Sequence, residues 1–383
     1  MRSRVVIWRS AMLAGSETFV RNHGAALTRW QPAYLGATRE PSVLAEGSDV
    51  IAYPDTTAGR NAFLRLRLTG SSPHLTRLLA RLRPDLVHAH FGGDGWLISR
   101  AAADVGVPLV VTVHGHDVTR QPETAGARGK RYRRNLRTAF DRAAVIVAVS
   151  EHIRGRAVAL GADPDKVLVH HTGVPMAPML ALPKKWDVIF VGRFVEKKGV
   201  DDLIDALAVL PARPRALFVG TGPLEAAMRS RAAGFGLDAT FLGAQDPAQV
   251  MRHLAESRIL AAPAKTAADG DAEGLPTTIL EAAVQGLPAV STRHSGIPEA
   301  VIHGETGLLG AEGDSTATAH CIQKLLGNPG LRERLGRRAR AHVEAHFNLR
   351  RQSAQLEDLY DALSAGGPAA WPGVRPASRP WPR

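Results

Sequence analysis

Short continuous apolar runs alternate along this chain with stretches where apolar residues return every three or four positions. The short runs read as strands buried on both faces, and the longer period reads as helices packed over them. Together they predict repeated βαβ units and a parallel sheet. In the first half the predicted strands are Arg4–Trp8, Ala33–Leu35, Val50–Tyr53, Leu86–His90, Pro108–Val113, Ala144–Val149 and Val167–His170. Between them a helix opens at Ser16 or Glu17, and residues 60–83 form one or two amphipathic helices. Gly92–Gly95 reads as a tight turn into a helix over Trp96–Val105. Ser150 is placed to cap the next helix, with Glu151 favourable in its first turn.

Residues 174–184, VPMAPMLALPK, carry neither period and are rich in proline, so the domain linker is placed there. The alternation then restarts. Strands are predicted at Val188–Val191, Ala216–Val219, Thr240–Leu242, Ile259–Ala262 and Ala289–Ser291. Helices are predicted at Val200–Val209, Leu224–Ala233, Pro247–Glu256, 315–326 and 331–345. A last helix over 350–363 is long enough to return to the first half. The expected fold class is α/β, with an N-terminal domain 1–178, a C-terminal domain 185–347 and a returning helix within 348–365. The tail 366–383, made of Pro, Ala, Gly, Arg and Trp, is expected to be disordered.

Composition sharpens this picture in three ways. The chain has 383 residues, 45% hydrophobic and 22% charged, which suits two globular domains. No apolar run reaches the length of a membrane span, and Arg9, Ser10 and Glu17 interrupt the N-terminal run that would otherwise resemble a signal peptide. The single cysteine, Cys321, excludes a disulfide framework and a multi-cysteine zinc site within one chain, and suits a reducing cytoplasm. A formal net charge of +12 points to an anionic partner, although Arg- and Ala-rich usage alone can produce it. Nucleic acid is not expected, because aromatics are only 5% and the basic run lacks interleaved exposed rings.

Four placed groups carry the candidate chemistry. Gly192-Arg193-Phe194-Val195-Glu196-Lys197-Lys198-Gly199 follows a buried strand, where ligands bind in open α/β sheets. Its Arg and Lys can clamp phosphates or simply cap a helix. Gly220-Thr221-Gly222 lacks the third glycine of a dinucleotide fingerprint, which excludes NAD. It is either a tight βα turn or a place of close backbone approach to a nucleobase or phosphate. Glu273 and Glu281 lie in the stretch 269–309, one in a Gly-rich turn and one in the body of a helix, and eight helical residues rise about 12 Å. They suit acid/base work or the binding of vicinal hydroxyls. His114-Gly115-His116-Asp117 ends a fully apolar strand, where an imidazole donates to a hydroxyl, relays a proton or satisfies a loop carbonyl. A metal reading of that group lacks a further ligand at useful spacing.

In this order and at these separations, GRFVEKKG, GTGP, DGDAEGLPTTILEA and GIPE…GETGLL resemble the donor half of the retaining group 1 glycosyltransferases, family 4. SETFV, VHAHFG and TVHGHD resemble members that build bacterial exopolysaccharides. The resemblance spans about residues 1 to 363 and implies a GT-B fold: two Rossmann-like domains facing each other across a cleft. It implies that Arg193 and Lys198 bind the donor diphosphate, Glu281 the ribose and Glu273 the donor sugar. Gly222, Gly274, Leu275, Pro276 and Thr277 line the same site, and His114 stands beside the anomeric carbon. Ser16, Glu17, His90, His116 and Asp117 are implied to contact the acceptor. Many relatives carry two glycines after the first strand. Here Met12-Leu13-Ala14-Gly15-Ser16-Glu17 has one, so a donor contact from that loop is not carried over.

The expected catalytic group is His114, Arg193, Lys198 and Glu273. No metal and no cofactor is expected beyond the nucleotide-diphosphate sugar as co-substrate. The acceptor is expected to be a glycan, a lipid-linked sugar or a soluble metabolite of inositol type. The basic stretch Arg128–Arg142 places Tyr132, Leu136, Ala139, Phe140 and Ala143 on one helical stripe. Its arginines form either a solvated face or a peripheral contact with anionic membrane. A non-catalytic sugar-binding protein of the same fold is the competing class. It predicts a damaged donor site, yet Arg193, Lys198, Glu273 and Glu281 are all present.

Overall fold

The computed structural model describes residues 2–15 and 17–366. Ser16 and the tail 367–383, for which the sequence predicts an acceptor contact and disorder, lie outside the described residues. The chain forms two compact units. One runs to Gly173 and resumes at Leu349; the other is Val174–Asn348.

In chain order the first unit holds β1 (Arg4–Met12), α1 (Thr18–Ala25), β2 (Gln31–Arg39), β3 (Val50–Ile51), α2 (Thr57–Thr69), α3 (Pro73–Leu82) and β4 (Leu86–His90). There follow α4 (Gly92–Val105), β5 (Leu109–Val113), α5 (Arg120–Glu123), α6 (Gly126–Arg142), β6 (Val145–Ala148), α7 (Glu151–Ala159) and β7 (Val167–Val169). The second unit holds β8 (Trp186–Val191), α8 (Val200–Ala208), β9 (Ala216–Val219), α9 (Glu225–Gly234), β10 (Ala239–Phe241), α10 (Pro247–Ala255) and β11 (Ser257–Ala262). It continues with α11 (Thr277–Val284), β12 (Ala289–Thr292), α12 (Ile297–Ala300), β13 (Gly307–Gly310), α13 (Ser315–Leu326) and α14 (Pro329–His346). The helix α15 (Leu349–Ser364) belongs to the first unit.

The strand orders are β3-β2-β1-β4-β5-β6-β7 and β10-β9-β8-β11-β12-β13, parallel in both sheets. Each order reverses direction once, between β1 and β4 and between β8 and β11. In such sheets the crevice beyond the carboxyl ends of those two strands is where ligands bind. Every residue of β4, β5 and β6 is buried, as strands covered on both faces require. In the second unit Phe190, Phe194, Phe218 and Phe241 knit sheet to helices, with Phe218 and Phe241 stacked 4.6 Å apart.

α15 is fastened to the first unit by a buried carboxylate. Glu357 accepts the backbone N–H groups of Thr28, Arg29 and Trp30 at 2.8, 2.6 and 3.0 Å. Trp30 in turn donates its indole N–H to Asp361 at 2.7 Å. Leu356, Leu359 and Tyr360 complete the same core as Val5, Ile7 and Val110.

Three local expectations change. The tight turn expected at Gly92–Gly95 is already helix, because α4 begins immediately after Phe91. Those glycines serve packing: a Cβ on Gly92 would lie 2.3 Å from Leu136, and one on Gly95 would lie 2.8 Å from Val111. β1 runs four residues past Trp8 to Met12, since Arg9 is carried inside the sheet by ion pairs. β13, Gly-Leu-Leu-Gly, escapes a periodicity reading because it is short and framed by glycines. Gly307 is required there, as a Cβ would fall 2.4 Å from the Ala289 carbonyl.

Candidate active site

In the second unit the carboxyl end of β8 delivers Gly192 and Arg193, and a single 3-10 turn then carries Glu196, Lys197 and Lys198. Arg193 is exposed. The Lys198 ammonium donates to Glu273 Oε2 at 3.0 Å, and Lys197 stands 3.4 Å from Glu273 Oε1 and 3.1 Å from Asp271. Burial alone would push the Glu273 carboxyl up. Lys198 and Lys197 outweigh it and hold the group below the usual carboxylate range. The loop bearing Glu273 is fixed from behind. Its backbone N–H donates to His294 Nε2 at 3.0 Å, so the His294 proton resides on Nδ1 and points to Glu312 at 2.8 Å. Ser295 Oγ donates to the Glu273 carbonyl, and the Gly274 carbonyl accepts from Gly296 at 3.2 Å.

Leu275 is buried and Pro276 stands at the N-cap of α11, so Thr277 and Thr278 open the helix with N–H groups that have no preceding turn to bind. Glu281 lies one turn further along. Burial pushes its carboxyl up to about 7, and Lys198 pulls the other way. Among the described residues no hydrogen bond to the Glu281 carboxylate is found. Lys198 therefore acts electrostatically on two carboxylates in unlike states, bonded to the ionised Glu273 and lowering the pKa of a Glu281 that is half-titrated at neutral pH.

Gly220 and Gly222 are required by packing. A Cβ on Gly222 would meet the Phe194 backbone at 2.5 Å, and one on Gly220, at φ 129°, would meet the Gly192 carbonyl at 1.9 Å. The close backbone approach is thus to the neighbouring loop after β8, whose path these glycines set. Lys197 and His294 were not singled out by sequence reasoning. Lys197 sits inside GRFVEKKG and His294 two residues ahead of GIPE, and only the fold brings them to Glu273.

In the first unit the carboxyl ends of β4 and β5 bring His90 and His114 together, Nδ1 to Nε2 at 3.1 Å. Phe19 and Phe91 flank the His114 ring at 4.7 and 4.6 Å. Phe91 holds φ 73°, a strained value for a residue with a side chain, with the Arg9 guanidinium 4.3 Å over its ring. Burial, then the charge of Arg9, lowers the His114 pKa to about 3. Burial also drives the pKa of His90 well below the usual value. Both rings are neutral at pH 7. They can exchange hydrogen bonds with hydroxyls but offer no charge to a phosphate.

Two acceptor candidates prove committed elsewhere. Glu17 is buried and chelates Arg9, with oxygens 2.9 Å from Nε and 2.5 Å from the terminal nitrogen, while Asp94 takes the other side of the guanidinium. It does not cap α1. Asp117 accepts the N–H groups of Gly92, His114 and Gly115 at 2.8, 3.0 and 3.0 Å, so its oxygens order the loop that aims His114. His116 pairs with Gln121 at 2.9 Å. Arg9 and Asp94 are the residues a sequence reading misses here, since a buried arginine in a strand gives no periodic signal.

Sequence comparison places these sites in a family. Residues 13–177 match Glycosyltransferase Family 4, and residues 178–342 match Glycosyl transferases group 1. The protein described as the colanic acid biosynthesis glycosyltransferase WcaL of Escherichia coli K12 is 30% identical over 296 residues, covering 73% of this chain and 71% of that one. The amylovoran biosynthesis glycosyltransferase AmsK of Erwinia amylovora is 29% identical over 292 residues, covering 73% and 70%. Among solved structures, Anabaena Alr3699/HepE in complex with UDP and glucose matches with a TM-score of 0.74 at 20% identity, over 95% of this chain and 100% of that one. The chain belongs to the group 1, family 4 glycosyltransferases, and its two Rossmann-like units are those of the GT-B fold.

Proposed function

We propose that this glycosyltransferase moves a hexosyl unit from a nucleoside-diphosphate sugar to a hydroxyl of a glycan or lipid-linked acceptor, with retention at the anomeric carbon. The setting proposed is the cytoplasmic stage of bacterial surface-polysaccharide synthesis. The observation that carries this reading is the group formed by Lys198, Glu273 and Glu281 at the switch point of the second sheet, against the start of α11. The relatives named for amylovoran and colanic acid, and the UDP and glucose held by HepE, support it.

In this reading Arg193 and Lys198 hold the diphosphate, and N–H groups at Thr277 and Thr278 supplement them. Glu281 accepts the ribose hydroxyls and Glu273 a hydroxyl of the donor sugar. The bond from the anomeric carbon to the diphosphate breaks, and the bond to the acceptor oxygen forms on the same face. The acceptor's proton passes to the departing diphosphate oxygen. Lys198 and Arg193 stabilise the charge that develops there, so this step calls on no metal. His114 and His90, as neutral hydrogen-bonding rings, position hydroxyls. Two measurements test this together. Thermal shift against UDP, GDP and their sugars should single out one base. Proton NMR of the product should show the donor's anomeric configuration; inversion would sink the mechanism.

Peripheral contact with anionic membrane is proposed through α6. Its support is the exposed row Arg128, Lys130, Arg131 and Arg134, while Leu136, Ala139 and Phe140 are turned into the core. Among the described residues no helix is long and apolar enough to cross a membrane. Flotation with anionic vesicles at about 0.15 M salt should carry the protein upward, and Arg131→Glu with Arg134→Glu should abolish it. Absence of flotation by the unaltered chain would remove this part.

A further inference from the structure

One cavity of the first unit, about 430 Å³ including its mouth, is lined by six histidines: His23, His88, His90, His114, His170 and His171. Among the described residues no carboxylate, lysine, arginine or cysteine lines it. Three buried polar atoms on its wall have no hydrogen-bond partner among the described residues: His23 Nδ1, His90 Nε2 and Ser353 Oγ. His23 and His90 are only 8% and 4% exposed, so each leaves an unsatisfied nitrogen where bulk water does not reach. Such atoms rarely occur in threes around one space without something there to meet them.

The opposite nitrogens of the same rings are engaged. His23 Nε2 lies 3.3 Å from the Tyr360 hydroxyl, and His90 Nδ1 lies 3.1 Å from His114. A ring whose one nitrogen donates to a neighbour keeps its lone pair on the other. Metal-binding histidines share this arrangement. His88 stands between them, its nitrogens 2.5 Å from Tyr360 and 2.6 Å from Thr112. One nitrogen from each of His23, His88 and His90 falls within 4.8 Å of the others.

We propose that His23, His88 and His90 bind one divalent transition-metal ion of the zinc class. Neutral imidazoles without carboxylates select zinc, cobalt, nickel or copper over magnesium or calcium. Tetrahedral zinc ligands with bonds of about 2 Å stand about 3.3 Å apart, so ring movements of about 1 Å complete the set. His88 gives up one of its two hydroxyl bonds, and the remaining hydroxyl becomes the outer partner of its second nitrogen. The fourth position is open to water or a small anion. The ion ties α1 to β4 and, through Tyr360, to α15. It also lies one hydrogen bond from His114, so it fixes that ring's tautomer and aim. This is a positioning role, separate from the donor diphosphate and independent of the donor reading.

The full chain, purified without a histidine tag, is stripped with chelator and titrated with Co²⁺ alone. One equivalent should bind with the visible absorption of tetrahedral cobalt, and Zn²⁺ should displace it. His23→Gln and His90→Gln should each weaken binding at least tenfold, whereas His320→Gln, on the exposed face of α13, should not. Native mass spectrometry of the unaltered protein needs no variant and should show one retained metal equivalent. No stoichiometric cobalt spectrum, or equal binding by all three variants, would overturn the proposal and leave water as the occupant of the cavity.

Discussion

The two units share a topology and differ in the charge they bring to the same place. Both sheets reverse strand order once, and both collect polar residues at the carboxyl ends of strands at or beside that point. In the second unit those residues are lysines set against carboxylates, with Lys198 bonded to Glu273 and its charge acting on Glu281. In the first they are neutral rings, and the nearby cation Arg9 is paired with Glu17 and Asp94. The fold therefore decides where a ligand sits, and the side chains decide its sign. In the proposed reading one unit takes an anion and its hydroxyls, and the other a neutral polyol.

Acid separates the units most strongly. Burial lowers the pKa of His23 and His114 to about 3 and of His170 to about 4, with His88 and His90 also well below the usual value. The unfolded chain takes these protons near pH 6.5, and the folded unit takes them only near 3 to 4. Stability is therefore intact above pH 6.5 and falls as the pH drops through that window. At pH 5 the loss is at most about 2 kcal/mol for each histidine, several kcal/mol in all. Limited proteolysis mapped by mass spectrometry at pH 5 should open the first unit while the second stays closed. Equal cleavage in both would erase the electrostatic contrast.

The next effect belongs to the second unit. Lys198→Ala should lower turnover by about 10²- to 10³-fold, the size of losing one charge-stabilising group at the reacting centre. Circular dichroism should be unchanged, because Lys198 is a half-exposed loop residue outside the sheet. Normal transfer by this variant would mean that the cation serves only to neutralise Glu273.

A structural change in the first unit gives the third contrast. Glu357→Ala removes a carboxylate that satisfies three backbone N–H groups, all in the turn before β2. Leaving them unpaired should cost about 2–4 kcal/mol, read as a lower urea midpoint, with nucleotide binding by the second unit retained. An unchanged midpoint would show that apolar contacts alone dock α15.

Much of this was legible in the chain. Strands β4 and β9 fall where their apolar runs predict, and Ser150 caps α7 by accepting from Ile153 at 3.3 Å. The apolar stripe of α6 is buried as its period requires. What was not legible depends on contacts across the sheet. Arg9 looks like a break in an apolar run until Asp94, far along the chain, reaches it. Nothing in the run Gly220-Thr221-Gly222 tells that the loop after β8 packs on it. Glu17 and Asp117 sit inside motifs suited to a ligand, yet their oxygens are filled by a guanidinium and by backbone N–H groups. Motif spacing carries the type of residue that reaches a site but not which partner takes it there.

The smallest predicted effect puts the contrast in a single residue. With its carboxyl raised to about 7, Glu281 keeps its proton in the fold while the unfolded chain has lost it near 4.5. Stability therefore falls as pH rises between those values and stays lowered above them, by roughly 3 kcal/mol at most. Donor binding has the opposite sign, because only the ionised carboxylate accepts two ribose hydroxyls at once. Affinity should rise with pH and level off above about 7. Glu281→Gln should weaken donor binding about tenfold at pH 8, flatten its pH dependence and raise the melting temperature of the ligand-free protein by a few degrees. Calorimetry across pH 6 to 8 checks all three. A pH dependence that survives in Glu281→Gln would locate the titrating group elsewhere. The buried cavity histidines His23, His88, His90, His114 and His170, whose pKa values burial lowers, could not supply it.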